Sequence, residues 1–107
     1  MNTDVMNIAI LTPEKEIFRG AIKSIKVPGT LGQFQVLRNH APIVSSLERG
    51  RVEIVTSKGE YQYYDEESGN ILTADEAGKT IIFNITGGFI EVLNNEIALL
   101  VQAIARA

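Results

Sequence analysis

The chain has 107 residues and no cysteine; 45% of its residues are hydrophobic, 21% are charged, and the net charge is −3. This length predicts one domain, residues 1–107, and the composition excludes a disordered chain, a disulfide-linked fold and a cysteine nucleophile. Nucleic acid is not an expected partner, because phosphate contacts need clustered Lys and Arg, and no segment has the roughly 18 apolar residues of a membrane span.

Alternating apolar and polar residues predict β-strands along most of the chain. In chain order the alternating segments are residues 7–10, 24–27, 51–54 and 81–86. The second and third belong to strands expected at about 17–27 and 51–56, and residues 99–101 complete a last strand. Because successive side chains point to opposite faces of a strand, each segment has one apolar side. Phe83 lies on the apolar side of its segment and is expected in the core.

Turn residues separate these strands. Pro28-Gly29 ends the second segment, and Asn94-Asn95 suits a two-residue hairpin whose central residues have positive φ. Gly87-Gly88 indicates a bulge, a sharp bend or a close backbone approach. Residues 61–80 are acidic and are interpreted as a long exposed excursion with room for a short strand pair, and residues 102–107 favour helix but are too few for a stable one. Short strands with polar turns predict a β-sandwich or a flattened barrel.

The residues capable of chemistry do not form a catalytic or metal-binding pattern. His40 is the single histidine, and the hydroxyls of Ser45 and Ser46 lie in an apolar run without a nucleophile-elbow sequence. Residues 28–32 contain two glycines but lack the Lys-Ser/Thr pair of a phosphate loop. The acidic run at residues 65–67 lacks the spacing of a calcium loop and is interpreted as solvated. No metal or cofactor is therefore expected.

Apolar residues in expected loops indicate a contact surface instead. Leu31 lies between Gly29 and Gly32 at an expected loop tip, where a large apolar side chain has little core to join. Ile43 and Val44 raise the same question, since each either packs beneath a loop or faces a partner protein. The sequence therefore favours a protein that works by binding other proteins.

Three motifs resemble the epsilon subunit of rotary ATP synthases. They are LTPEKEIFRG at residues 11–20, VPGTLGQF at residues 27–34 followed by His40-Ala41-Pro42, and TGGFIEV at residues 86–92. Each motif alone is weak, but the three occur in the family's order and span nearly the whole chain. The match is therefore specific.

This resemblance implies a fold and a role. The fold is an all-β, ten-stranded β-sandwich, or flattened barrel. The role is that of a non-catalytic, cofactor-free subunit of the proton-translocating ATP synthase, which helps couple rotation of the central stalk to ATP synthesis. The implied partners are the gamma subunit, the c-subunit ring and the other subunits of the complex. The implied location is the cytoplasmic face of the bacterial inner membrane, as a peripheral protein that meets the membrane only through the c ring.

The resemblance also implies contact residues. The expected c-ring contact consists of Gly29, Thr30, Leu31, Gly32 and Gln33. The expected gamma-subunit contact consists of His40, Ala41, Pro42, Ile43 and Val44. Loops that are held by strands on both sides bind with little ordering cost, which suits both roles.

The chain departs from the family pattern at several positions. Family members commonly have a carboxylate at the position of Gln33, so a salt bridge to a basic c-ring loop is not expected here. Glycines are common at the positions of Gln35 and Asn39. Asn tolerates positive φ whereas Gln does so poorly, so the backbone near Gln35 is expected to differ. The acidic excursion is also longer than is usual in the family.

Many family members continue into a C-terminal hairpin of two helices that can extend along gamma and restrain ATP hydrolysis. The chain stops at Ala107, which leaves two interpretations open: a natural short form without this hairpin, which is favoured, or a truncated chain. Inhibition by hairpin extension is then not expected.

Two other functions stay open at this point. One is a stand-alone β-sandwich adaptor, which would bind a single soluble partner and show no link to membrane fractions. The other is an enzyme that uses His40 and nearby carboxylates, which would lose its activity in a His40→Ala variant.

Overall fold

The computed structural model describes residues 6–104, which form ten β-strands and no helix. The strands are β1 (Met6–Leu11), β2 (Glu16–Gly29), β3 (Gly32–Leu37), β4 (Ile43–Leu47), β5 (Gly50–Thr56), β6 (Tyr61–Asp65), β7 (Asn70–Ala74), β8 (Thr80–Ile85), β9 (Gly88–Leu93) and β10 (Glu96–Val101). The predicted all-β, ten-stranded architecture is confirmed. Residues 102–104 are not helical, and the rest of the segment predicted to favour helix lies outside the described residues.

The strands close into a flattened barrel. β1, β10, β9, β4 and β2 pair in that order, and β1 also pairs with β2, which completes a ring. From β2 the sheet continues through β5 to β8, and both β3 and the β6–β7 hairpin attach to β2. The β1–β10 pair is parallel, and the other named pairs are antiparallel.

The 14-residue strand β2 is the central element of this barrel. Side chains two residues apart in a regular strand share a face, yet Ile22 and Ile25 are both buried although they lie three residues apart. The pairing with β5 shifts at the same place, since Ile22 lies opposite Thr56 and Ser24 lies opposite Val55. A bulge at Lys23 therefore lets both halves of β2 point apolar side chains into the core.

An apolar core fills the barrel. Phe18 of β2 is fully buried and stacks on Tyr61 of β6, with 5.3 Å between the ring centroids. Phe83 points inward as predicted and meets the Phe18 ring edge-on at 6.4 Å, but it is half-buried. The core is completed by the remaining buried hydrophobic residues, namely Met6, Ile8, Ile10, Ile17, Ile22, Ile25, Val27, Val36, Leu47, Val52, Ile54, Ile85, Ile90, Val92, Ile97, Leu99 and Val101.

The acidic segment at residues 61–80 corresponds only in part to the predicted excursion. It contains the short strand pair, β6 with β7, and most of its surface is exposed. The prediction of an exposed segment is wrong at its start, because Tyr61 is 2% exposed. Gly20 is the cause: a side chain there would occupy the space of the Tyr61 β-carbon, so glycine lets β6 cross closely over β2.

Strands β3 and β4 were not among the predicted strands. Each has one buried hydrophobic residue, Val36 in β3 and Leu47 in β4, so their alternation is weak. Gln35 lies in regular strand pairing opposite Lys26, whereas Asn39 has a φ of 67°. The asparagine therefore adopts the left-handed conformation that its side chain tolerates, and the glutamine does not need it.

The predicted turns between β8, β9 and β10 are confirmed. Asn94 and Asn95 have φ values of 50° and 64° and connect β9 to β10. At Gly88 the backbone of β9 approaches β10 so closely that a β-carbon would collide with the carbonyl oxygen of Leu100. This is the close backbone approach that the glycine pair indicates.

Candidate docking surfaces

The two segments predicted to contact partners lie at opposite ends of the sandwich. Strand β3 begins beside Leu31 and ends shortly before His40, and five residue steps along a strand span about 17 Å. We call residues 29–33 with the adjacent β4–β5 turn (residues 48–50) the Leu31 end. We call residues 38–44 with the β9–β10 turn (residues 94–95) the His40 end. The structure therefore separates the predicted contact residues into two surfaces.

The β2–β3 turn presents Leu31 to solvent. Gly29 pairs with Gly32, so Thr30 and Leu31 are the turn residues. The relative exposure of Leu31 is 103%. Gly29 cannot carry a side chain, since a β-carbon would lie 2.8 Å from the Gly32 carbonyl oxygen and 2.8 Å from the Phe34 ring. A fixed turn thus holds an apolar side chain out of the core.

The β4–β5 turn braces the Leu31 end. The amide of Glu48 donates to the carbonyl of Pro28 at 2.8 Å, and Gly29 pairs with Leu47. Gly50 lies so near Pro28 that a β-carbon on it would be 2.8 Å from the Pro28 β-carbon. An open cavity of about 200 Å³ lies between the two turns, lined by Pro28, Gly29, Gln33, Glu48, Arg49 and Arg51.

Two asparagines fix the His40 end to the β9–β10 turn. The amide of Asn39 donates to Oδ1 of Asn95 at 2.6 Å, and Nδ2 of Asn95 donates to Oδ1 of Asn39 at 3.1 Å. The amide of Asn7 donates to the carbonyl of Asn95 at 2.9 Å, which ties the same turn to β1. These bonds fix Asn39, and the pairing of β4 with β9 fixes Ile43 and Val44, so the segment between them is held at both ends.

The side chains of residues 40–44 point in different directions. Val44 is 71% exposed, and Ala41 and Pro42 are also exposed. Ile43 is half-buried and packs on the core. The Nδ1 atom of His40 lies 2.7 Å from the carbonyl oxygen of Ala41, which can only accept, so Nδ1 carries the proton of this hydrogen bond. Of the two predicted alternatives, Ile43 follows the first and packs inward, whereas Val44 follows the second and faces outward.

An apolar outer face adjoins Val44 and was not predicted. Phe89 of β9 and Leu100 of β10 lie opposite each other and are 55% and 49% exposed. Leu11 of β1 lies opposite Leu100, and Leu93 of β9 is 52% exposed. We call Leu11, Phe89, Leu93 and Leu100 the outer face. Strand β9 has apolar side chains on both of its faces, which is typical of a strand that is covered on both sides. This pattern in the sequence could have predicted the outer face.

The described residues contain no recognisable reaction centre. The Ser45 hydroxyl donates to the carbonyl of Ser46 at 3.2 Å, while the His40 ring bonds to Ala41. Within residues 6–104, no group of three or more His, Asp and Glu side chains is placed to hold a metal ion. The same range has no helix that is long and apolar enough to cross a membrane.

Comparison with known sequences identifies similar proteins. Residues 5–71 match the family described as ATP synthase, Delta/Epsilon chain, beta-sandwich domain. The ATP synthase epsilon chain of Salinibacter ruber is 30% identical over 104 residues, which cover 97% of this chain and 62% of the relative. That of Chlorobaculum tepidum is 35% identical over 96 residues, which cover 90% of this chain and 88% of the relative. The chain thus spans less than two thirds of the first relative and most of the second.

Solved structures share the architecture. A chain in the cryo-EM structure of the Euglena gracilis mitochondrial ATP synthase has a TM-score of 0.68 at 17% identity, covering 98% of this chain and 54% of that chain. A chain in the central stalk and c-ring structure of the Tetrahymena thermophila enzyme has a TM-score of 0.64 at 18% identity, covering 98% of this chain and 69% of that chain. These likenesses establish the fold. Since the family match spans more than half of the sequence, the chain belongs to the ATP synthase delta/epsilon family and carries its β-sandwich domain.

Proposed function

We propose that this chain is the epsilon subunit of a proton-translocating rotary ATP synthase. It is a non-catalytic subunit of the central stalk that binds the gamma subunit and the c ring and helps couple rotation to ATP synthesis. The observation that carries this proposal is the presence of two fixed, exposed surfaces at opposite ends of one continuous sheet, in a chain of the delta/epsilon family.

The Leu31 end is the proposed contact with the c ring. Residues 29–33 form a braced hairpin turn, and Leu31 offers an apolar side chain with no intramolecular packing. Burying a leucine side chain stabilises a complex by about 1.5–3 kcal/mol. Because the turn is already ordered, little of this gain is lost to conformational entropy.

The His40 end is the proposed contact with gamma. Residues 40–44 supply Ala41, Pro42 and Val44 as exposed positions, and the outer face continues this surface across β9 and β10. Ile43 contributes by anchoring the segment to the core. Exposed apolar side chains on neighbouring strands are typical of a protein-interaction site, and the exposed Glu91 opposite Val44 adds a charge within this surface.

The proposal includes a location and a domain assignment. The subunit sits at the cytoplasmic face of the bacterial inner membrane as a peripheral protein, and it meets the membrane only through the c ring. Residues 1–107 form one epsilon-type β-sandwich domain. The described strands, from Met6 to Val101, support this assignment by joining a single hydrogen-bonded sheet.

Binding to purified gamma and to purified c ring tests the proposal. We expect Leu31→Asp to weaken c-ring binding and leave gamma binding unchanged, and Val44→Asp to do the reverse. Ile71→Asp is the matched control, because Ile71 is 48% exposed on β7 and lies outside both ends. A correctly folded wild-type chain that binds neither partner would overturn the proposal, and a single soluble partner unrelated to the synthase would favour an adaptor.

A further inference from the structure

An aromatic slot lies between β6 and β8. The side chains of Tyr61, Tyr63, Ile81 and Phe83 line it, and it encloses a cavity of about 350 Å³. Tyr61 and Phe83 both contact the Phe18 ring, so core packing holds two of its walls in place. We call it the tyrosine slot. None of its residues belongs to the Leu31 end, the His40 end or the outer face.

Apolar side chains remain exposed around the tyrosine slot. Ile82 of β8 lines the slot and is 47% exposed. Leu72 of β7 lies opposite Tyr63 and is 37% exposed. A polypeptide that covered the slot would bury both side chains together with the rings, whereas a small cation would leave them in water.

The segment that contributes β6 and β7 is strongly acidic. Residues 58–79 contain six carboxylates and two lysines, a net charge of −4, whereas the whole chain has a net charge of −3. Lys79 lines the slot, but its ammonium lies 3.8 Å from Oε1 of Glu76, so a carboxylate at the rim balances this charge. The charge of the segment therefore complements a cationic partner.

Tyrosine rings of β6 are suited to bind a cation, and one of them does so within the chain. The Lys15 ammonium lies 3.9 Å from the centroid of the Tyr64 ring. The neighbouring Tyr63 is half-buried and offers a second ring within the slot. A planar guanidinium stacks on such a ring and keeps its N–H donors available for nearby carboxylates, which a lysine ammonium does less well.

We propose that the tyrosine slot is a third docking surface, which receives an arginine side chain from a basic segment of a partner protein. The guanidinium stacks on Tyr63, its charge is complemented by the acidic segment, and the residues beside the arginine cover Ile82 and Leu72. This inference is independent of the contacts proposed above, because no residue of the slot belongs to either end.

The intrinsic fluorescence of the full chain reports on this slot. Tyr61, Tyr63 and Tyr64 are the three tyrosines of the chain, and it contains no tryptophan. The probe is a short peptide in which arginine alternates with threonine, and the comparison peptide has glutamine in place of arginine. We expect the arginine peptide to change the tyrosine emission saturably. At low salt it should bind at least about tenfold more tightly than the glutamine peptide, and the ratio should fall at physiological salt.

Two substitutions at the rim should change the affinity in opposite directions. Glu76→Gln should weaken binding of the arginine peptide by about fivefold, because it leaves the Lys79 ammonium unbalanced, and Lys79→Gln should strengthen it by about threefold. Glu48→Gln is the matched control, since it removes the same charge at the exposed Leu31 end. That end lies about 30 Å from the slot along β2, because Phe18 pairs with β6 whereas Pro28 bonds to the control residue. The control should change the affinity by less than about twofold.

Substitutions of Tyr63 test the ring itself. Tyr63→Leu should weaken binding of the arginine peptide by about fivefold, because it keeps an apolar side chain but removes the aromatic face. Tyr63→Phe retains that face and should bind as the wild type does. Since both variants lose a reporter tyrosine, the anisotropy of a fluorescently labelled peptide measures them, and circular dichroism checks their fold.

Three results would overturn the inference. One is equal affinity for the arginine and glutamine peptides. Another is binding of the arginine peptide that neither Tyr63→Leu nor Glu76→Gln weakens. The third is a wild-type dimer in sedimentation equilibrium that Tyr63→Leu dissociates, which would assign the slot to a second copy of the chain.

Discussion

Replacing Tyr61 with alanine is expected to lower the free energy of unfolding by about 3–5 kcal/mol, the range for removing a large buried aromatic side chain. Tyr61 is 2% exposed, and its ring stacks on Phe18 with 5.3 Å between centroids and 26° between planes. It also contacts Tyr63, at 6.1 Å. Aromatic pairs of this kind add about 0.5–1.5 kcal/mol to the burial energy. The gap would remain, because Gly20 on the facing strand has no side chain to fill it.

Tyr64→Ala supplies the comparison within the same strand. Tyr64 is half-buried on the opposite side of β6, where the Lys15 ammonium lies 3.9 Å from its ring centroid. An exposed cation–π contact is worth about 0.5–1 kcal/mol, so Tyr64→Ala should cost about 1 kcal/mol. Both variants remove the same atoms from β6, and the difference between them isolates burial in the core.

Urea denaturation followed by far-ultraviolet circular dichroism measures both variants. A change of midpoint at constant slope reports stability directly. In a thermal melt, Tyr61→Ala should lower Tm by at least about 12 °C, from about 4 °C or more per kcal/mol in a domain near this size. A loss below about 1.5 kcal/mol for Tyr61→Ala, or an equal loss for Tyr64→Ala, would show that the β6–β7 hairpin is an appendage with no anchor in the core.

Three further substitutions test other parts of the fold by the same denaturation assay. Gly88→Ala should cost about 1–3 kcal/mol, because its β-carbon would collide with the Leu100 carbonyl; an unchanged midpoint would contradict this approach of β9 to β10. Asn39→Ala should cost about 1–2 kcal/mol, and Asn39→Gly less, because glycine keeps the positive φ while both lose the Asn95 hydrogen bond. Equal losses in these two variants would mean that φ is unimportant. Phe83→Ala should cost about 2 kcal/mol, since the ring is half-buried, and a loss below about 1 kcal/mol would place β8 in another register.

The alternation of apolar residues predicted those strands whose inward positions are all large and apolar. Strand β8 is the clearest case, because Ile81, Phe83 and Ile85 all point toward the core. Strand β4 could not be found in this way, since Ser45 stands where an inward apolar residue would complete the pattern. Its partner β9 lies more than 40 residues further along the chain, and such pairing leaves no mark on local periodicity.

The acidic composition of residues 61–80 gave no indication that the side chain of Tyr61 is buried in the core. Tyr61 begins a segment that contains several carboxylates, and this local composition predicts exposure there. Its burial depends on Gly20, about 40 residues earlier in the chain, where the missing side chain opens the space. A close approach between two distant backbones is a property of the pair, so neither residue alone could reveal it.

The candidate surfaces were partly predictable for the same reasons. Leu31 could be predicted as a contact residue because the flanking glycines indicate a loop tip, where an apolar side chain has little core to pack against. The opposite orientations of Ile43 and Val44 required the existence and register of β4, which the sequence did not predict. The arginine-lined cavity needed two turns from different hairpins to meet, and their contact depends on Pro28 and Gly50.

The rigidity of the link between the two ends is relevant to the proposed coupling role. A subunit that bridges two bodies can carry torque only if its contact surfaces cannot turn independently. Here β2 reaches the Leu31 end, β4 begins at the His40 end, and Gly29 pairs with Leu47 where the two strands meet. Hydrogen bonds from Asn39 to the β9–β10 turn, and the pairing of β9 with β4, tie the other end to the same sheet. Because each surface is held by at least two strands, rotation of one relative to the other would break several ladder hydrogen bonds at once, and this rigidity is what the proposed coupling role requires.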